Sequence, residues 1–396
     1  MNISSSHVVR PDLETTTLTL AVLNQTRAFK LYLSDHERVV FEVVTYVFLC
    51  GSVALFGIAS NIVNVVIFFK QGLKTTMNIS FFGLAISDLC SLVTLMWFSI
   101  CMNPLFENSN IPFISREFQY LTGGWPSFVF ARITSFITSF ITAERCLCIT
   151  SPLKVKHIIT PRRTILTLIF IYIIIIICSL PEYISSYIGW KFHPPRNQTM
   201  LGLVFASNRK EIEGLGFIVN AVLGALSYIL VIIFTTTLVF KLKHEARWRS
   251  RKTCLAHDNQ SSFIHREKRA MNMVLLIAVL SIFCSTPGII LSCLAFVEEE
   301  FSILGHHSNV FHAAWSVGFL FIAINSSVNS IFYYNMSSKY KKSFLELFSR
   351  WKKTENNSLN DNYSARSDTF MQMKKWTNQV SQSEGQMSRP ILQNRT

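Results

Sequence analysis

The sequence predicts an all-α membrane protein, a seven-transmembrane helix bundle followed by a short amphipathic helix on the inner leaflet. Of its 396 residues, 50% are hydrophobic and only 15% are charged, whereas soluble domains carry about 25% charged residues. Seven apolar segments are each long enough to cross a bilayer, which takes ~20 helical residues for ~30 Å of hydrocarbon. Continuous apolar runs also favour helices over barrel strands, in which polar and apolar residues alternate.

The seven predicted spans, in chain order, are 43–69, 78–102, 118–149, 164–190, 214–240, 270–297 and 308–336. Four of them, the first, fifth, sixth and seventh, contain no Asp, Glu, Lys or Arg. After the last span, residues 337–350 place apolar side chains at helical spacing among lysines. That pattern is typical of an amphipathic helix lying on a membrane surface.

The distribution of basic residues predicts the orientation. Loops 70–77, 150–163 and 241–269 together contain 15 Lys and Arg, and the opposing loops contain 5. Basic loops stay cytoplasmic. The prediction is therefore a multi-pass plasma-membrane protein with three parts, an extracellular tail 1–42, a bundle 43–340 and a cytoplasmic tail 341–396. Its net charge of +14 then indicates contact with anionic lipid rather than with nucleic acid. The outward-facing sequons at Asn2, Asn24 and Asn197 are candidate glycan sites.

Few charges fall inside the predicted spans, and such charges mark functional or tightly paired sites. Asp88 lies near the middle of the second span, and Arg132 lies in the outer half of the third. Glu182 stands toward the outer end of the fourth span. Glu144 and Arg145 end the third span at its cytoplasmic side, where they could form an interfacial pair that reaches water.

Several short motifs occur in the same order as in a known family. They are Asn61 in the first span, Leu84-Ala85 and Asp88 in the second, Glu144-Arg145-Cys146 at the end of the third, Phe283-Cys284 and Pro287 in the sixth, and Asn325-Ser326, Asn329 and Tyr333 in the seventh. Over residues 43–345 the chain resembles the rhodopsin-like (class A) G-protein-coupled receptors. Within that class, the runs 123–126, 130–133 and 144–148 look like those of invertebrate FMRFamide-type and molluscan chemosensory receptors.

The resemblance implies a receptor that converts binding of an extracellular neuropeptide or environmental chemical into activation of a heterotrimeric G protein. It implies no enzymatic activity and no cofactor. A transporter or channel with Asp88 and Arg132 in its pathway is the alternative, but no internal repeat of the kind found in many transporters is visible. A membrane enzyme is a third class, and no HExxH or Ser-His-Asp arrangement supports it.

The resemblance also implies a polar cluster at the bundle centre. In the family this cluster holds water and often a sodium ion, whose loss accompanies activation. The matching residues here are Asp88, Thr134, Asn325, Ser326 and Asn329. The residues alone leave open a hydrogen-bonded polar core that only fixes the helix register. The full set expected to act in activation and G-protein coupling is Asn61, Asp88, Glu144, Arg145, Pro287, Asn325, Asn329 and Tyr333.

Two elements of that set have a specific predicted role. Glu144 and Arg145 would form a lock that opens to receive the G protein, as the resemblance implies. Pro287 lacks a backbone N–H and would kink the sixth helix, which gives a hinge between an outer cavity and the inner face.

Arg132 is the most informative single residue, because a permanently charged guanidinium inside the bundle needs a partner. The sequence leaves three partners open, which are Glu182, a backbone carbonyl and a polar group of a ligand. Further candidates for the ligand-binding site are Tyr183, Asn220, His312 and Trp315.

The chain departs from the family at several positions. Tyr120 stands where a cysteine usually forms a disulfide with the second outer loop, and loop 191–213 has no cysteine. We therefore expect packing to hold this loop in place of a disulfide. Ser285 replaces the usual Trp of the sixth helix, and Ser330 replaces the usual Pro of the seventh. Ser127 stands where amine receptors have an Asp, and the seventh helix has no Lys for a retinal Schiff base. The departures argue against amine ligands and photoreception.

Overall fold

The computed structural model describes residues 33–207, 209–252, 258–298, 300–302, 305–349 and 373. Seven helices in this part of the chain are long and apolar enough to cross a membrane, so the predicted fold class is confirmed. They are α1 Asp35–Gln71, α2 Thr76–Cys101, α3 Ser115–Thr150, α4 Pro161–Ser185, α5 Arg209–Lys252, α6 Asp258–Val297 and α7 Ser308–Met336. Shorter helices cover Pro104–Glu107 and Pro152–Ile158. Asn2 and Asn24 lie outside the described residues.

Polar side chains fix where several helices begin. The Ser34 hydroxyl accepts from the Glu37 backbone N–H at 3.3 Å, and the Glu37 carboxylate accepts from the Ser34 N–H at 2.9 Å. This reciprocal pair is a capping box, which satisfies two free donors at a helix start. Thr75 caps α2 and Thr160 caps α4 through their hydroxyls. Because its capping box is at Ser34, α1 begins at Asp35, which is eight residues before the predicted bundle boundary at 43.

The core lies where α1, α2, α3 and α7 meet. Leu84 and Leu92 of α2, Ile133 and Ile137 of α3, and Tyr333 of α7 are almost fully buried there. Small residues let the helices approach closely. A Cβ on Gly57 of α1 would lie only 2.1 Å from the Ser327 hydroxyl of α7, which is the kind of contact that favours small side chains between membrane helices.

One segment predicted as helix is a strand. The fourth span was predicted to reach residue 190, but α4 ends at Ser185. Ser186–His193 instead forms β1, which pairs antiparallel with β2, Gln198–Phe205, in the register Ser186↔Phe205 to His193↔Gln198. A short apolar run fits a strand as well as a helix, and here the pairing with β2 decides. Asn197, at the tip of this hairpin, is exposed and has a φ of 48°.

Residues 338–349 form α8, as the amphipathic pattern predicted. The Tyr340 side chain is 2% exposed and packs against Phe68 of α1 and Tyr333 of α7. Burial raises the pKa of Tyr340. Lys341 lies over the Tyr334 ring at 5.3 Å. One face of α8 is thus bound to the end of the bundle.

Candidate functional site

Asp88 is the centre of a hydrogen-bonded cluster that joins three helices. Its carboxylate is fully buried. One oxygen accepts from the Thr134 hydroxyl of α3 at 2.9 Å, and the other accepts from the Asn329 amide of α7 at 2.8 Å. The hydroxyls of Ser87 and Thr134 lie 2.9 Å apart. A buried carboxylate needs such donors, and here they come from two neighbouring helices.

The oxygen atoms around Asp88 fit a hard cation such as sodium, since hard cations take oxygen ligands. The carboxylate itself, the Thr134 hydroxyl and the buried Ser326 hydroxyl are the groups that would hold it. Asn329 turns its amide nitrogen to Asp88, so it acts as a donor to the carboxylate. Asn325 is buried on the same helix, but the structure gives it no hydrogen bond to Asp88.

A second polar network connects α1 with α7 and α8. The Asn61 amide donates to the Ser326 carbonyl at 2.8 Å. The Asn64 amide donates to the Asn61 side-chain oxygen at 3.0 Å and to the Ser330 hydroxyl at 2.8 Å. The Tyr340 hydroxyl donates to the Asn64 side-chain oxygen at 2.6 Å. Ser330, which replaces the usual Pro, therefore has a specific partner on α1.

Glu144 and Arg145 form a closed ion pair at the inner end of α3. The Glu144 carboxylate, 1% exposed, accepts from the Arg145 guanidinium at 2.7 Å. It also accepts from the Thr76 hydroxyl at the start of α2. Next to this pair, the Cys146 thiol donates to the Phe234 carbonyl of α5 at 3.1 Å. The ion pair predicted as a lock is therefore present. Thr76 links it to α2, and the hydrogen bond of Cys146 connects α3 with α5 next to it.

Arg132 has none of the acidic partners considered from the sequence. Among the described residues no carboxylate lies within 4.0 Å of its guanidinium, and its buried Nε has no hydrogen-bond partner. Glu182, one of the three partners that the sequence left open, does not pair with Arg132, and its carboxylate accepts from the Tyr120 hydroxyl at 2.6 Å. Arg132 instead lies over the Phe128 ring, with 5.0 Å between Cζ and the ring centroid. It borders a small cavity between α3, α5 and α6.

The other predicted ligand-site residues fall into two groups. Trp315 of α7 packs edge-on to Phe128 at 6.4 Å, and its buried indole N–H has no partner in the described chain. Asn220 is buried on α5, one turn before Gly224, against which the Arg132 guanidinium packs. These side chains border the region above Arg132.

Tyr183 and His312 make no ring contact or cation–π contact with Phe128, Trp315 or Arg132 in the described part of the chain. The Tyr183 hydroxyl donates to the Leu121 carbonyl at 3.1 Å, which ties α4 to α3, and its ring is 41% exposed. His312 stacks edge-on to Phe311 at 5.6 Å. The structure therefore does not gather all the predicted ligand-site residues around one point.

The hairpin is attached by hydrogen bonds and an ion pair in addition to the packing expected from the sequence. The Ile114 N–H donates to the Leu201 carbonyl at 2.8 Å, and the Leu201 N–H donates to the Pro112 carbonyl at 3.0 Å. The Glu117 carboxylate pairs with Lys191 at 2.9 Å and accepts from the Leu203 N–H at 2.9 Å. These contacts attach the hairpin to the outer start of α3. The missing disulfide is thus replaced by backbone and ionic contacts.

We expect Glu117→Ala to loosen this attachment by about 1.5–3 kcal/mol, the usual worth of a hydrogen bond to a charged group. Lys191→Ala removes the ion pair alone, which is one-third exposed and worth about 0–1 kcal/mol. Hydrogen exchange of the β2 amides measures both variants. Equal protection in Glu117→Ala and in the parent protein would contradict the assignment.

A second ionic cluster at the outer side was not found from the sequence. Glu42 of α1 is 2% exposed and pairs with Arg38 at 3.5 Å and with Arg116 of α3 at 3.3 Å. Arg116 also pairs with Glu107 at 2.8 Å. Arg38 and Glu42 have the i,i+4 spacing of a helical ion pair, but Arg116 and Glu107 are too far from Glu42 in the chain for any spacing rule.

Comparison with known proteins identifies the relatives of this chain. The family model described as "7 transmembrane receptor (rhodopsin family)" matches residues 60–333. Neuromedin-U receptor 2 of Mus musculus is 28% identical over 83% of this chain and 80% of its own length. The type-1 angiotensin II receptor of Ovis aries is 25% identical over 79% of this chain and 82% of its own length. These relatives are neuromedin-U and angiotensin receptors, not the invertebrate FMRFamide-type or molluscan chemosensory receptors of the narrower resemblance.

Proposed function

Because the chain belongs to the rhodopsin family of seven-transmembrane receptors, we propose that it binds an extracellular peptide and activates a heterotrimeric G protein. Both kinds of relative are named for peptide ligands, neuromedin U and angiotensin II. The chain covers about four-fifths of their length. The finer likeness to FMRFamide-type receptors stays a prediction. No catalytic chemistry is part of the proposal.

The observation that carries the proposal is the closed Glu144–Arg145 pair linked to Thr76 at the inner end of the bundle. A receptor needs two bundle arrangements, with the ligand favouring one of them. The paired state is then the resting one, and release of Arg145 exposes the G-protein surface. Pro287 lies inside the continuous helix α6, where we propose that it serves as the hinge. Together with Asn61, Asn325 and Tyr333, the Asp88 cluster would transmit the change between these two ends.

We propose that the ligand enters between the outer ends of α3, α5 and α7. Trp315 offers an unpartnered indole N–H there, and Phe128 and Asn220 supply the walls, with Arg132 at the floor. Glu182 and Tyr183 are already bound to Tyr120 and to the Leu121 carbonyl, so their proposed role is to hold this wall in place. His312 would lie at the rim.

The proposed setting is the plasma membrane. The tail 1–42 would lie outside, the bundle 43–340 would span the membrane, and the tail 341–396 would lie in the cytoplasm. The exposed Asn197 at the tip of the hairpin would then be accessible to glycosylation.

The test is a screen of peptides, with neuromedin-U-like and angiotensin-like sequences included, on membranes from cells that express the protein. We expect at least one peptide to stimulate guanine-nucleotide exchange on the G protein. Arg145→Ala, matched for surface expression, is the control and should bind the same peptide without stimulating exchange. Peptide-dependent uptake of a solute without nucleotide exchange would overturn the proposal in favour of a transporter.

A further inference from the structure

The cavity beside Arg132 has the composition of an anion site. It lies between α3, α5 and α6, and its polar lining residues are Arg132, Ser135, Ser227, Tyr228, Ser281 and Ser285. None of these side chains is acidic, and one carries a permanent positive charge. A buried cation without a counter-charge is costly inside a membrane protein. The cation–π contact with Phe128 offsets only part of that cost.

The position of Arg132 is fixed by a glycine. A Cβ on Gly224 would lie 2.7 Å from Nη1 and 2.9 Å from Nη2 of Arg132. The guanidinium therefore lies against the backbone of α5, where any larger residue would displace it. Its Nε is buried and has no hydrogen-bond partner among the described residues. The charged group is held in place, yet no group of the described chain neutralises it.

Two hydroxyls of α6 complete the donor set. The Ser135 hydroxyl donates to the Ala131 carbonyl, and the Ser227 hydroxyl donates to the Gly224 carbonyl. The Tyr228 hydroxyl is paired with Thr286. Ser281 and Ser285 lie one helical turn apart and line the cavity, and the structure gives neither of them a hydrogen bond within the described chain. They are free O–H donors opposite a free guanidinium.

We propose that this cavity binds one small inorganic anion, chloride under physiological conditions, between Arg132 of α3 and Ser281 and Ser285 of α6. The cavity volume is about 10 Å³, which is room for about one water-sized particle. A monoatomic anion fits this space better than the end of an acidic side chain does. Ser285, which stands where the family usually has a Trp, makes the space available.

The anion would stabilise the resting arrangement. It contacts α6 within two turns of Pro287, and the Glu144–Arg145 pair is closed in the same structure. A ligand that binds one arrangement shifts the population toward it. Chloride is therefore expected to oppose activation, and this signalling consequence alone rests on the proposed receptor function.

Binding is tested on the purified full-length protein, without any peptide. We expect its Tm to rise by at least about 3 °C between ~1 mM and ~150 mM chloride, with gluconate as the replacing anion at constant ionic strength. Bromide should act like chloride, and bromide anomalous scattering from crystals should give a peak beside Arg132. Arg132→Gln should abolish the halide dependence.

Two further variants test the proposal if Arg132→Gln does not fold. Ser281→Ala with Ser285→Ala should weaken the halide effect at least about tenfold in half-maximal concentration, because both donors are lost. Ser292→Ala is the matched control on α6 and should keep the parent response, since the Ser292 hydroxyl is paired with the Gly288 carbonyl and does not line the cavity. A halide effect that is absent in the parent, or that persists in Arg132→Gln, would overturn the proposal.

A ligand carboxylate is the competing occupant. If removal of one acidic group from an agonist weakened it in the parent but not in Arg132→Gln, and halides had no effect, the site would belong to the ligand and the proposal would fall. Failure of the peptide screen would leave the halide measurements intact, so the two proposals fail separately.

Discussion

Replacing Asp88 with Asn is expected to lower agonist-stimulated nucleotide exchange at least about tenfold. A loss of ~1.4 kcal/mol in the free energy that favours the active arrangement corresponds to a factor of ten. Asp88 accepts hydrogen bonds from Thr134 on one oxygen and from Asn329 on the other. An Asn side chain offers one oxygen acceptor and one NH2 donor group, so the Asn329 amide keeps an acceptor only if the Thr134 hydroxyl turns to accept instead of donate. A buried donor left without its acceptor costs about 1–3 kcal/mol. Either the hydrogen bond between α2 and α7 is lost, or the one between α2 and α3 is reversed, and the negative charge of the cluster is lost in both cases.

The same variant should also lose its response to sodium. In the parent protein, exchanging sodium for choline at constant ionic strength is expected to change agonist affinity, and in Asp88→Asn the affinity should not change. Ser91→Ala is a suitable control, because the Ser91 hydroxyl lies on α2 and donates to the Ser127 carbonyl of α3 at 3.1 Å without touching Asp88. Parent-like signalling and sodium response in Asp88→Asn would reduce the cluster to a structural polar core.

The second large effect is expected at the inner end of α3. Glu144→Gln removes the charge that holds Arg145 at 2.7 Å but keeps an oxygen that can accept from Thr76. A shift of ~1.4 kcal/mol toward the open arrangement raises its population about tenfold while it is still the minor state. We therefore expect ligand-independent nucleotide exchange to rise about tenfold per receptor at the cell surface.

Thr76→Val separates the two partners of Glu144. It removes the hydrogen bond from α2 and leaves the ion pair, so basal exchange should rise much less, by about two- to threefold for a loss of ~0.5 kcal/mol. Basal nucleotide exchange on membranes of matched receptor content measures both variants. If the two rose equally, or if neither rose, the ion pair would not be the lock.

The sequence predicted the parts of the fold that depend on local composition. Seven helices follow from the length of the apolar runs, and α8 follows from its amphipathic spacing, since both patterns are properties of one segment. The grouping of Asp88 with Thr134 and Asn329 came from the family resemblance, and the structure places these three side chains in contact. The ion pair between Glu144 and Arg145 could be predicted because the two residues are adjacent in the chain.

Predictions failed where contacts between segments that are distant in the chain determine the structure. Residues 186–190 are apolar enough for a helix, and only their partners in β2 make them a strand. Glu182 was one of three partners that the sequence left open for Arg132, and in the structure its carboxylate accepts from the Tyr120 hydroxyl instead. The contact of Arg132 with Gly224 depends on how α3 and α5 are placed, which no spacing rule supplies.

The way the outer hairpin is attached has a practical consequence. Every cysteine in the described part of the chain is a free thiol, and the hairpin is fixed to α3 by amide and carboxylate groups. Treatment with dithiothreitol therefore breaks nothing that shapes this outer surface. Under reducing conditions the hairpin should therefore stay attached to the outer start of α3.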